Sequence, residues 1–251
     1  INSILKALRT AEERLITITD ADVLFLNDWE KSVLEVFEAF PKAGMVSPVP
    51  MYRTQYRHTS NIWFDYLFSN KLKFTPVKNP EALEMFAKSI GWSYLSEKLK
   101  DVIATIKSKN GVVAAIGNSH FVGTYKREVL NVLPKEKSEY ILGGTSEANY
   151  LDIPVLKMGG YRLATNDNFA FHMGNKKESW MDEVYNSLRL EEKKYNDFSK
   201  LKVLNGSNFS YFIKVKLFKK LLYYRPFKKW IFRKKGLNKT QVNTFINAEY
   251  T

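Results

Sequence analysis

Two carboxylates, Asp20 and Asp22, follow the apolar, β-branched run Leu15–Thr19 with only Ala21 between them. A buried strand that ends in two acids brings mutual repulsion and lost hydration to one point. A divalent cation removes both costs, and oxygen donors favour a hard ion, Mn²⁺ or Mg²⁺. At the carboxyl end of a strand in an open α/β sheet, such an ion is positioned to hold a substrate diphosphate. The competing reading is that one of the acids caps the helix that follows.

Two further groups of residues could share that site. The first is Gly143-Gly144-Thr145-Ser146-Glu147-Ala148-Asn149-Tyr150-Leu151-Asp152, followed by Gly159-Gly160-Tyr161-Arg162. Thr145 or Ser146 can cap a helix running to about Lys157, which Gly159 or Gly160 ends. The helix dipole alone accounts for an acid such as Glu147 at its start. The second is Phe169-Ala170-Phe171-His172-Met173-Gly174, an apolar alternation that reads as a strand ending in His172. His120, in a turn after an apolar run, takes a direct part in the site or serves the turn itself.

The elements that must position these residues follow from periodicity. Helices are expected over Asn2–Arg14, Asp28–Phe40, Ala82–Ile90 (started by Asn79-Pro80), Ser93–Lys107 and Lys126–Leu133, and strands over Leu15–Thr19, Met45–Val49, Val112–Ile116 and Phe121–Tyr125. That order implies an α/β fold with a mostly parallel sheet. Residues 51–111 read as a helical insertion carrying Trp63, Phe64, Tyr66, Trp92 and Tyr94. Residues 176–251 read as a charged helical region with a basic tail.

The run Ile18-Thr19-Asp20-Ala21-Asp22-Val23 followed by Trp29 resembles the DXD motif of glycosyltransferase family 2, nucleotide-sugar enzymes of the GT-A fold. Gly123-Thr-Tyr-Lys-Arg-Glu-Val-Leu130 is similar to that family's strand followed by Arg-Arg-Glu-Val. The resemblance covers about Asn2–Asn175 and implies a GT-A-like, Rossmann-like catalytic core over residues 1–175. It also implies a nucleotide-binding front half of roughly 80–100 residues ahead of Ile1. It assigns Glu147 as general base on the acceptor hydroxyl; Ala148 stands where the family has a second acid, and Asp152 is the substitute. His172 would complete the metal site, its nitrogen favouring Mn²⁺ over Mg²⁺. Lys176 or Lys177 would approach the phosphates. The activity implied is inverting, metal-dependent transfer from a UDP- or GDP-sugar to a saccharide or lipid-linked acceptor, in surface polysaccharide synthesis.

Composition bounds the alternatives. The 251 residues are 45% hydrophobic and 14% aromatic, enough for a packed core. The absence of cysteine excludes disulfides and thiolate metal sites. No secretory signal or bilayer-length apolar run is visible, which suits a cytoplasmic enzyme. The net charge of +13 calls for an anionic partner. Ten of the cations fall within 209–235 among apolar residues and without an acid, the pattern of a peripheral anchor on an anionic membrane surface. A helix packed on its own domain has the same pattern, and nucleic acid ranks last. A sugar-phosphate nucleotidyltransferase, or a non-catalytic membrane or nucleic-acid binding protein, remains the alternative function.

Overall fold

Strand β1 (Leu15–Thr19) alternates isoleucine and threonine, and its two faces are used differently. Ile16 and Ile18 pack on the cluster of Leu8, Met45, Tyr125 and Val155, while Thr17 Oγ1 meets Thr124 Oγ1 at 2.8 Å. β1 is an edge strand and only half-buried, not the buried strand expected, because it has a sheet neighbour on one side only.

The computed structural model describes residues 2–51, 55–91, 101–138, 145–190 and 198–247. After α1 (Asn2–Thr10) and β1 come β2 (Val23–Phe25), α2 (Trp29–Ala39), β3 (Ala43–Ser47), α3 (Ser60–Asp65), β4 (Leu72–Pro76) and α4 (Pro80–Ser89). Next are β5 (Val102–Lys107), β6 (Val113–Ile116), β7 (Val122–Lys126) and α5 (Arg127–Leu130). The helix expected from Thr145 is α6 (Thr145–Glu147) and α7 (Ile153–Lys157), joined by a π-helical turn, Ala148–Asp152. β8 (Tyr161–Thr165), β9 (Ala170–His172) and α8 (Ser179–Ser187) follow. The C-terminal region holds α9 (Asn208–Tyr211), a π-helical stretch Phe212–Leu217, α10 (Phe218–Tyr223), α11 (Arg225–Lys234) and α12 (Lys239–Asn247).

The seven-stranded sheet has the order β1-β7-β3-β8-β6-β5-β4. It is mixed. β3 and β8 pair in parallel, and the pairs outside them are antiparallel. The expected run of parallel strands is therefore confined to β3–β8. The reason is local: β5 and β6 are joined by a tight hairpin closed by Ser108 N–H donating to Val112 O at 2.8 Å, with no crossover helix to reverse direction.

Residues 51–111 depart from the helical insertion expected. β4 and β5 extend the main sheet, and the Val102–Lys107 end of the helix expected over Ser93–Lys107 is strand β5. Its β-branched run Val-Ile-Ala-Thr-Ile favours a pleated, half-buried surface over a helix. Trp92 and Tyr94, two of the aromatics noted in that segment, lie outside the described residues. Trp63 belongs to the core: it is fully buried, packs near Phe74 and Phe232, and donates Nε1–H to Gln55 O.

The basic C-terminal helices are part of the same core. Phe218, Leu222, Ile231, Phe232, Phe245 and Ile246 are buried in the cluster that includes the sheet residues Val46, Ala104 and Leu163. They also close the exposed edge of the sheet, where β4 Phe74 N–H donates to Lys235 O at 2.9 Å. Among the described residues no helix is long and apolar enough to cross a membrane.

Trp63 tests this assignment. Trp63→Ala should destabilise the fold by about 3–5 kcal/mol, as truncation of a fully buried large aromatic does. A change within about 0.5 kcal/mol in denaturant unfolding would return Trp63 to the surface.

Candidate active site

The register of β1 against β7 places Thr19 opposite Val122, and Asp20 N–H donates to Phe121 O at 2.7 Å. Asp20 and the His120-Phe121 pair therefore stand on one rim of the sheet. A separate two-stranded ribbon, β2 with β9, pairs Val23 with His172, and Met173 N–H donates to Asp22 O at 2.8 Å. The ribbon carries His172 back to the acids. One ligand atom from each of Asp20, Asp22 and His172 lies within 4.8 Å of the others. Neither acid caps the following helix: α2 begins at Trp29, after Asp28.

The chemistry of this group suits a divalent cation. Burial and then the neighbouring Asp22 charge push the Asp20 carboxyl above its ordinary range, a cost that a cation between the two acids would relieve. His172 Nε2 lies 3.4 Å from Asp22 Oδ2. Its other nitrogen, Nδ1, is 2.9 Å from Ser89 Oγ, and that hydroxyl donates its hydrogen to Phe86 O at 2.7 Å. Ser89 Oγ is thus left as acceptor, so Nδ1 carries a hydrogen toward it and Nε2 is the nitrogen that faces the carboxylates. Phe86 and Phe121 meet the imidazole edge-on and fix its plane.

The second cluster stands in the same cleft, of about 430 Å³, lined among others by Asp20, Arg57, His58, Asn118, His120, Glu147, Asp152, Arg162 and His172. His120 bridges two carboxylates, with Nε2 2.7 Å from Asp152 Oδ1 and Nδ1 3.2 Å from Glu147 Oε2. Burial alone would lower its pKa, but the bonds to Asp152 and Glu147 raise it to about 9, so both ring nitrogens donate at neutral pH. Arg162, buried beneath, holds Asp152 Oδ1 at 2.8 Å and donates Nη1–H to Arg57 O. Burial pushes Asp152 up, but Arg162 and His120 hold it below the usual carboxylate range.

The π-helical turn explains how one imidazole meets both acids. In an α-helix five residues advance about 500°, leaving side chains five apart some 140° out of line. The wider turn, with Ile153 N–H donating to Ala148 O, brings the fifth residue back toward the same side. Glu147 and Asp152, expected as alternative bases, therefore take different positions. Glu147 keeps an exposed edge in the cleft, whereas Asp152 is 2% exposed, occupied by Arg162 and His120, and orients His120.

Lys176 and Lys177 are exposed, and neither is among the residues that line the cleft; Lys177 pairs with Asp182 at 2.8 Å. The exposed cation on the cleft wall is Arg57. Its neighbour His58 adopts φ 52°, uncommon outside glycine, and lies 3.8 Å from Asp152 Oδ2. Burial holds His58 down to about 4, so it stands neutral beside the relay. Asn118 is fully buried, and among the described residues neither polar atom of its amide has a hydrogen-bond partner, which suits it to bind a polar ligand in the cleft. Arg57, His58, Asn118 and Ser89 carried no motif in the sequence. Arg162 stood within Gly159-Gly160-Tyr161-Arg162 without a role assigned to it.

Two measurements test this geometry. Ser89→Ala should weaken Mn²⁺ binding by roughly tenfold in calorimetry while leaving the fold intact, because the tautomer of His172 is no longer fixed; unchanged affinity would remove Ser89 from the site. His120, raised to about 9 when folded, contributes stability that is complete below its ordinary value of about 6.5 and fades as pH rises through about 9. Unfolding free energy should therefore decline across that window, and less steeply in His120→Gln; equal slopes would contradict the bridge. No protein-family model matches the chain, and neither does any curated protein or solved structure.

Proposed function

We propose that this chain is a metal-dependent glycosyltransferase that moves a sugar from a nucleoside-diphosphate donor of the UDP or GDP class to a hydroxyl of a saccharide or lipid-linked acceptor. One observation carries the reading: a group suited to a divalent cation and a carboxylate backed by an imidazolium occupy a single cleft. Transfer from a diphosphate needs those two capacities together, charge neutralisation for the leaving group and a proton acceptor for the attacking hydroxyl.

Asp20, Asp22 and His172 would hold Mn²⁺ or Mg²⁺, which when bound supplies neutralisation of the departing diphosphate. Glu147 accepts the proton of the acceptor hydroxyl as that oxygen forms its bond to the anomeric carbon. The bond from that carbon to the diphosphate oxygen breaks, and its electron pair leaves on the nucleoside diphosphate. A single displacement of this kind inverts the anomeric centre. The imidazolium of His120 orients Glu147, and Asp152, paired with Arg162, fixes the ring. Arg57 meets the phosphates at the cleft wall.

A screen of UDP- and GDP-sugars, read by nucleoside diphosphate release with and without Mn²⁺, tests the proposal. Turnover should require the metal and fall roughly 100-fold or more in Asp22→Asn. Glu147→Gln should lose about 10²–10⁴ in kcat with Mn²⁺ affinity unchanged. Release of pyrophosphate would indicate nucleotidyl transfer instead, and turnover retained by Asp22→Asn would refute the metal site.

A further inference from the structure

The C-terminal helices have two apolar faces, and the core uses one of them. Val215, Phe218, Leu222, Ile231 and Phe232 are buried against the sheet and α3. On the outer side Phe209, Phe212, Leu217, Leu221, Tyr224 and Trp230 remain between 44% and 77% exposed. A water-facing helix gains nothing from a row of large apolar side chains, and a cluster of them marks a surface that meets something else.

The charges between them say what that partner is. Lys216, Lys219, Lys220, Arg233 and Lys234 are exposed on the same segment, and no aspartate or glutamate occurs from Phe198 to Ala248. Lys234 lies over both Trp230 and the 80% exposed Phe68, so its stem and an aromatic plane share one surface. Lysines interleaved with aromatics and leucines fit the boundary of a bilayer, where ammonium groups reach phosphates while apolar side chains enter the acyl region. Nucleic acid fits less well: Leu217 and Leu221 cannot stack on bases, and aliphatic side chains on the contact face would only be exposed to phosphate and water.

We propose that the outer face of residues 209–234 docks on an anionic lipid surface. The docking surface adjoins the cleft. Lys216, Lys219 and Lys220 line a groove of about 390 Å³ with His58, Ile153 and Leu156, and His58 also lines the cleft that holds Glu147 and Asp152. A docked chain therefore brings the leaflet next to a groove that shares His58 with the cleft. Docking itself stands whatever reaction the cleft performs, since it depends on none of the cleft's acids.

Co-sedimentation of the chain with vesicles tests this, using phosphatidylcholine alone and phosphatidylcholine containing one third phosphatidylglycerol. Binding is expected with the anionic vesicles, little with the neutral ones, and loss as salt is raised. Each lysine at such a surface is worth about fivefold, so Lys216→Gln, Lys219→Gln and Lys220→Gln together should weaken partitioning roughly 100-fold. Phe212→Ser with Leu217→Ser keeps every charge and should also weaken it. All five positions are exposed, and an unchanged melting temperature confirms that both variants fold. Absent binding, equal binding to both vesicle types, indifference to either variant, or retention by single-stranded RNA in place of anionic vesicles would each overturn the proposal.

Discussion

The β2–β9 ribbon is the contact on which the site depends. Three residues of each strand, paired Val23 to His172 and Phe25 to Ala170, join the segment after the first sheet strand to the segment after the last. That register brings an imidazole to two acids that sequence separates widely. A slip of one residue would turn the side chain of residue 172 to the other face of the ribbon and leave the acids facing each other alone. The ribbon is short, so its hold comes from packing: Val23, Phe25 and Ala170 sit on the cluster of Val49, Met51, Phe86, Phe121 and Val122. Met51, Phe86 and Phe121 of that cluster also line the cleft, and the stacked rings of Phe86 and Phe121 both meet the imidazole edge-on.

A second constraint acts from the other side. Asp152 and Arg162 form a buried ion pair, which contributes little net stability unless every charge in it is well satisfied. Here it is extended by His120 and Glu147 into a chain that runs from the core to the cleft. The charge is buried at one end and accessible at the other. The outer carboxylate, Glu147, is thereby held facing the cleft, while the inner one has its hydrogen-bonding capacity taken up. The π-helical turn is the backbone's contribution, since regular α-helical spacing would have pointed the two acids apart.

These features explain what was legible in the sequence. Asp20 and Asp22 at a strand end, Glu147 at a helix start and His172 at the end of an apolar alternation were visible because each depends on local pattern. So was the start of α4, where Asn79 Oδ1 accepts from Ala82 N–H with proline next in line. What was not legible depends on contacts between distant segments. A three-residue strand such as Val23–Phe25 has too few residues to show a period. Ser89 shows nothing of its role, because that role exists only once α4 lies against β9. His120 showed its residue type but not its two carboxylates, since the π-helical turn that aligns them has no compositional mark. The C-terminal helices misled in a different way. Their amphipathic pattern was apparent, but a sequence cannot tell a face covered by its own domain from one left open, and these helices present both.

The central claim is that the two aspartates and the histidine form one cation site in the cleft that holds Glu147. Crystals soaked in Mn²⁺ with a nucleoside diphosphate, examined by anomalous scattering at the manganese edge, test it most directly. The account predicts a single strong peak at bonding distance, about 2.0–2.2 Å, from a carboxylate oxygen of Asp22 and from His172 Nε2, with the diphosphate on its open side. A fully occupied peak elsewhere on the molecule, or a diphosphate bound away from Asp20, Asp22 and His172, would contradict it.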